Sequence, residues 1–157
     1  MVKLYKNFNI NKNHKQSIIL IGNFDGVHLG HQKLFKLAQS YKKKYNLKIG
    51  VINFDPMPKM FFNRSLTNFR LSSIDQKLVL LNNQGVDFVI TKQFDKIFSK
   101  TKSINFVKNI LSQKLNARFI FVSNNFRFGN KREGDVNLLI QNEKRFNFKV
   151  VKPKPLL

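Results

Sequence analysis

The apolar run Ser17-Ile-Ile-Leu-Ile21 passes directly into Gly22-Asn-Phe-Asp-Gly-Val-His-Leu-Gly-His-Gln32 and then into a segment of helical spacing. A buried strand, a glycine-bearing turn and a helix in that order leave the chain little freedom. The unpaired N–H groups and the positive dipole end of the helix converge where the strand stops, which makes a site for an anion. His28 and His31 stand about one helical turn apart, so with a helix starting near Gly30 both imidazoles can donate to phosphate oxygens there.

The rest of the chain alternates β-branched or aromatic runs with helical periods, the pattern of a parallel α/β sheet. Strands are expected at Ser17–Gly22, Leu47–Phe54, Val86–Thr91, Arg118–Ser123 and Phe146–Val151. The first helix, Gly30–Asn46, carries Leu34, Leu37, Ala38 and Tyr41 on one face. The second opens on the capping box Ser73-Ile-Asp-Gln76 and closes at Gly85, a left-handed C-terminal residue. Further helices are expected over Ser103–Leu115 and Asp135–Asn142. Helical crossovers between such strands give a doubly wound, mostly parallel five-stranded sheet of Rossmann-like type, one domain over residues 1–157. Ligands then bind beyond the strand C-termini: at the His28/His31 turn, at the Asp55–Phe62 loop and at the Asn124–Gly134 loop.

Composition narrows the partners. The net charge of +21 would ordinarily point to nucleic acid, but the 29 Lys+Arg are dispersed, and they stand alongside 20 Asn and 17 Phe, an enrichment in residues encoded by A- and T-rich codons. The tightest run, Lys42-Lys43-Lys44, falls at a helix C-terminus, where cations complement the dipole on a solvated face. His14 reads as a surface residue. The chain has no Cys, so disulfides, thiolate metal sites and Cys nucleophiles are excluded together. No apolar h-region opens the chain and no stretch reaches membrane-spanning length, which makes the cytoplasm the expected home and a membrane partner unexpected.

The string Gly-x-Phe-Asp-x-x-His-x-Gly-His resembles the signature of the His-x-Gly-His nucleotidyltransferase superfamily. Gly22–Gln32, Asn53-Phe-Asp-Pro-Met-Pro58, Arg70-Leu-Ser-Ser73 with Lys77, Gly85-Val-Asp87, and Asn125-Phe-Arg-Phe-Gly129 with Gly134-Asp135 follow in order. Together they are similar to the N-terminal FMN adenylyltransferase module of bacterial bifunctional riboflavin kinase/FAD synthetases, over essentially the whole chain. The resemblance implies FMN + ATP giving FAD + pyrophosphate, with Mg²⁺ bridging the ATP phosphates on substrate oxygens and no dedicated protein metal site. It also implies His28 and His31 as catalytic stabilisers of the α-phosphate. ATP is expected on Gly22, Asn23, Phe24, Asp25, His28, Gly30 and His31, and FMN on Phe54, Pro56, Asn125, Phe126, Arg127 and Phe128. Competing local roles are turn capping for Asp25, an Asx turn for Asn125, core packing for Phe126 and Phe128, and solvent for Arg127.

Three departures from that family stand out. Met57 replaces its usual His, Ser123 its usual Gly, and the Ile-Ser-Ser-Thr-x-x-Arg segment that embraces the triphosphate is not found before Leu157. The expectation is therefore a module without its C-terminal end or a riboflavin kinase domain, impaired alone or completed by a second chain. The alternatives are another His-x-Gly-His nucleotidyltransferase, or a non-catalytic basic remnant that binds nucleotides or nucleic acid. Cytidylyltransferases lack Val27 with Gln32 and the 125–129 loop, and aminoacyl-tRNA synthetases require a Lys-Met-Ser-Lys-Ser loop that is absent.

Overall fold

Alternation along the strands decides the layers. In β2 (Ile18–Ile21) and β3 (Ile49–Asp55) successive side chains point to opposite faces, and both faces are apolar, so the sheet must be covered twice. The computed structural model describes residues 1–24, 29–56, 58, 61 and 74–153, with the backbone alone at 29, 30 and 74. Adding β1 (Lys3–Tyr5), β4 (Phe88–Gln93), β5 (Phe119–Phe121) and β8 (Lys149–Val151) gives six parallel strands in the order β1-β4-β3-β2-β5-β8.

One face packs Ile18, Leu20, Ile49, Val51 and Phe121 beneath Leu34, Phe35 and Ala38 of α1 (Leu29–Tyr45) and Leu81 of α2 (Ile74–Asn83). The opposite face packs Ile19, Ile21, Ile52, Phe88, Ile90 and Ile120 beneath a second helical layer. That layer runs from the short α4 (Ser103–Asn105) into nine residues of wider π-type turns, Phe106–Lys114, and includes α5 (Val136–Gln141). The short α3 (Lys96–Ser99) and α6 (Glu143–Phe146) complete the helices named here.

The doubly wound parallel sheet is present, with a sixth strand that the sequence did not announce. β1 is three residues long with Lys3 and Leu4 exposed, so it has neither the length nor the apolar run that marks a strand; pairing with β4 through Lys3↔Phe88 creates it. The Asn124–Gly134 loop contains another unannounced element, the ribbon of β6 (Arg127–Phe128) with β7 (Gly134–Asp135). Gly85 does take a left-handed φ of 80° just past α2. Of the lysine run, Lys43 and Lys44 are exposed, whereas Lys42 is half-buried and donates from Nζ to Asp87 Oδ2 at 2.8 Å and to the Gly85 carbonyl at 3.0 Å.

His14 is a correction. It is buried, with Nδ1 2.7 Å from the Tyr5 hydroxyl and its ring stacked on Phe88 at 4.5 Å. The Phe88 ring on which it stacks lies over Gly50 of the neighbouring strand, where a Cβ would come within 2.1 Å of that ring.

Candidate active site

Strand order reverses at β2, whose neighbours β3 and β5 lead the chain to opposite edges. The loops that leave β2 and β5 part there, and a crevice opens at their carboxyl ends. A cavity of about 900 Å³ fills that crevice. Its lining includes Ile21, Gly22 and Asn23 after β2, Phe54 and Pro58 after β3, and Phe126, Arg127, Phe128, Gly129 and Arg132 after β5.

The turn after β2 is held from both sides. Gly22 N donates to the Ile52 carbonyl at 3.1 Å, and Asn23 Oδ1 accepts the Phe54 N–H at 3.3 Å, so this turn and the end of β3 are one unit. Phe24 has a φ of 50°, a left-handed conformation that costs a bulky residue about 1–3 kcal/mol and survives only where surroundings impose it. Its buried ring packs at 5.1 Å on Phe35 and meets the His31 ring edge-on at 4.9 Å. Gly22 makes room for that ring, since a Cβ would sit 3.1 Å from its tip. Phe24 therefore orients His31 in the first turn of α1, which begins at Leu29, next to the expected Gly30. Asp25 and His28, with Met57, Arg70 and Ser73, lie outside the described residues.

The opposite wall is the β6–β7 ribbon. Phe126 N donates to the Ser123 carbonyl at 3.2 Å, closing a turn in which Ser123 Oγ also donates to Asn125 Oδ1 at 2.9 Å. Asn125 is exposed and stands outside the cavity lining; its side chain serves the turn. Phe126 and Phe128 stack at 5.3 Å and 15° along the cavity, with Phe128 buried and Phe126 half-buried. The ribbon is fixed to the start of α4 by Glu133, whose Oε1 accepts Ser103 N at 3.1 Å and Ser103 Oγ at 3.3 Å. Gly129 and Gly134 make the approach possible, because a Cβ on either would come within 2.7 Å of Ser103.

Sequence reasoning missed most of the third wall. Phe94, Phe98 and Phe106 join Phe54, Phe126 and Phe128, and ring pairs at 5.3 to 6.3 Å run from one to the next around the cavity. A local signal existed: Asp95 caps α3 by accepting the Phe98 N–H at 2.7 Å, and Phe94 and Phe98 are four residues apart across that cap. Pro56, expected beside the ligand, is half-buried outside the lining, and Pro58 stands in it. Behind Phe54, the buried Lys77 donates to the buried Asn53 Oδ1 at 3.1 Å and ties α2 to the end of β3. No group of three metal-ligating His, Cys, Asp or Glu side chains gathers among the described residues, and no helix among them is long and apolar enough to cross a membrane.

Residues 10–156 match the family model described as FAD synthetase. A bifunctional riboflavin kinase/FMN adenylyltransferase of Buchnera aphidicola subsp. Schizaphis graminum is 40% identical over 149 residues, 95% of this chain and 48% of that protein. The protein of the same description from Escherichia coli K12 is 37% identical over 133 residues, 85% and 42% of the two chains. The chain thus spans about half the length of the curated relatives it matches. Among solved structures, a macrolide-efflux protein from Streptococcus pneumoniae superposes with a TM-score of 0.80 at 22% identity, covering 99% of this chain and 52% of that one. A pantoate-beta-alanine ligase from Francisella tularensis gives 0.62 at 16%, covering 100% and 68%. At these identities the structural likeness speaks for the fold.

Proposed function

The chain belongs to the FAD synthetase family, and on that premise we propose that it transfers the adenylyl group of ATP to FMN, giving FAD and pyrophosphate. The observation that carries the reading is the meeting of two unlike surfaces at one switch point. An aromatic cavity suited to a planar ring reaches Gly22 and Asn23 of the turn that leads from β2 towards α1, and His31 stands in the first turn of that helix outside the lining.

The nucleophile, an FMN phosphate oxygen, is already anionic, so the reaction requires no general base. It attacks the α-phosphorus, and the bond to the oxygen bridging to the β-phosphate breaks with its electron pair leaving on pyrophosphate. The protein's work is to place two anions in line and stabilise the charge that builds between them. In this reading the α1 amides and His31 serve the transferring phosphate, Gly22, Asn23, Phe24 and Gly30 serve the ATP side, the ring wall holds the flavin, and His28 and Asp25 keep the roles the family resemblance implies for them. A Mg²⁺ ion brought by ATP would supply neutralisation of part of the phosphate charge. No step is assigned to a protein metal cage.

Purified protein incubated with FMN, ATP and Mg²⁺, with FAD followed by chromatography, tests this. FAD is expected to form, and H31A is expected to slow it by about 10²–10³, the cost of removing one preorganised donor to a developing anion. A chain that binds neither FMN nor ATP overturns the proposal.

A further inference from the structure

Phenyl rings do not read charge, and a wall of them would accept a flavin with or without its phosphate. Among the described residues, the charged side chains in the lining are Arg127 and Arg132. Their surroundings differ. Arg127 is paired across the ladder with Asp135, whose carboxylate caps α5 by accepting the Leu138 N–H at 2.9 Å. Arg132 is followed by Glu133, whose Oε1 is taken up by Ser103, and its own guanidinium enters no hydrogen bond or ion pair among the described residues.

The backbone that presents Arg132 is unusual. Arg132 and Lys131 have φ of 56° and 52°, consecutive left-handed residues with side chains, just after Gly129 at 81°. Such a turn persists only when its surroundings over-determine it. Here they do: Asn130 N donates to the Thr101 carbonyl at 2.7 Å, Arg132 N to the Gly129 carbonyl at 3.0 Å and Glu133 N to the Asn130 carbonyl at 3.1 Å. The Glu133–Ser103 clamp and the two close-packed glycines complete the support. An exposed guanidinium is thereby carried on a fixed backbone in the lining of an apolar cavity, where an anionic partner can form a charge-assisted hydrogen bond with it.

Resting on the flavin reading above, we infer that Arg132 is the specificity-determining cation of the cavity. It pairs with the phosphate of FMN and so separates FMN from riboflavin, the same ring system without that group. A site that offers a charged donor to a phosphate leaves the donor unsatisfied when the phosphate is missing.

Flavin-fluorescence titrations of the 157-residue chain with FMN and with riboflavin read the inference directly. Unsubstituted protein is expected to prefer FMN by about tenfold or more, the scale of one charge-assisted contact. R132Q loses that preference through weaker FMN binding while riboflavin binding is unchanged. R132K, which keeps the charge without the planar fork, recovers part of it. Equal losses for both flavins in R132Q would make Arg132 a shaper of the loop and overturn the inference. An unsubstituted chain that binds both flavins equally would overturn it too, leaving the cavity a flavin site. Binding of neither flavin would overturn the flavin reading itself and Arg132's role with it.

Discussion

Two groups of aromatic side chains share one face of the sheet and meet opposite fates. At the amino end of the strands, Phe88 lies over Gly50, His14 stacks on it at 4.5 Å and Tyr5 meets both edge-on at 6.0 and 5.7 Å. Its polar atoms are answered: Tyr5 Oη accepts the Asn11 N–H at 3.1 Å and lies 2.7 Å from His14 Nδ1. At the carboxyl end, the Phe54 to Phe128 rings form a wall of the same chemistry and leave about 900 Å³ unfilled. The same residue type closes a core in one place and opens a site in the other. What separates them is whether a neighbour fills the space: the Phe88 ring takes up the room that Gly50 leaves, and His14 covers that ring.

The sharpest way to break the comparison is to fill the closed group's space. Gly50→Ala sets a methyl 2.1 Å from the Phe88 ring, and with strand backbone on both sides the conflict cannot relax locally. A loss of about 3 kcal/mol in thermal or denaturant unfolding is expected, at the upper end for overpacking. Phe88→Leu in the same chain is expected to recover part of it, and flavin affinity of whatever folds is unchanged. An unaltered midpoint for Gly50→Ala would mean that the two aromatic groups are equally slack.

The open group is expected to answer in the other currency. Phe126 is half-buried and stacked at 5.3 Å on Phe128, so Phe126→Ala removes one face of the wall while leaving the sheet intact. Flavin affinity is expected to fall about tenfold, consistent with one lost ring contact, and the unfolding midpoint to move little. A large stability loss with unchanged flavin binding would reassign Phe126 to the core.

The two regions were not equally legible in the sequence. The β2–turn–α1 junction was, because an apolar run, a glycine turn and a helical period must occur in that order to make it; even Gly30 fell within one residue of the observed start at Leu29. Phe54, Phe126, Phe128 and Arg127 were also named and do line the cavity. His14 was misread because it packs on Phe88, distant in sequence, and on Tyr5 of β1, a strand too short to show a period. Phe94, Phe98, Phe106 and Arg132 escaped for a related reason. With 17 Phe in the chain, identity does not tell wall from core, and a two-residue ribbon held by a glutamate on a serine has no periodic signature.

The smallest expected effect concerns pH at the closed group. Burial, with Lys48 and then Lys3 nearby, holds His14 below its ordinary 6.5, against the opposing pull of Asp87. Between that depressed native value and 6.5 the unfolded chain binds more protons at this position than the native one, so stability rises with pH there. The contribution is complete above 6.5 and is lost as pH falls from 6.5 through the native value, with no further change below it. His14→Gln keeps an acceptor for the Tyr5 hydroxyl and removes the titration. Urea midpoints of the two proteins across this range should converge as pH falls, and the difference between them isolates His14 from His28 and His31 at the open end. A constant gap would show that the closed group admits a charged imidazole as readily as water does, and the contrast between the two ends of the sheet would rest on space alone.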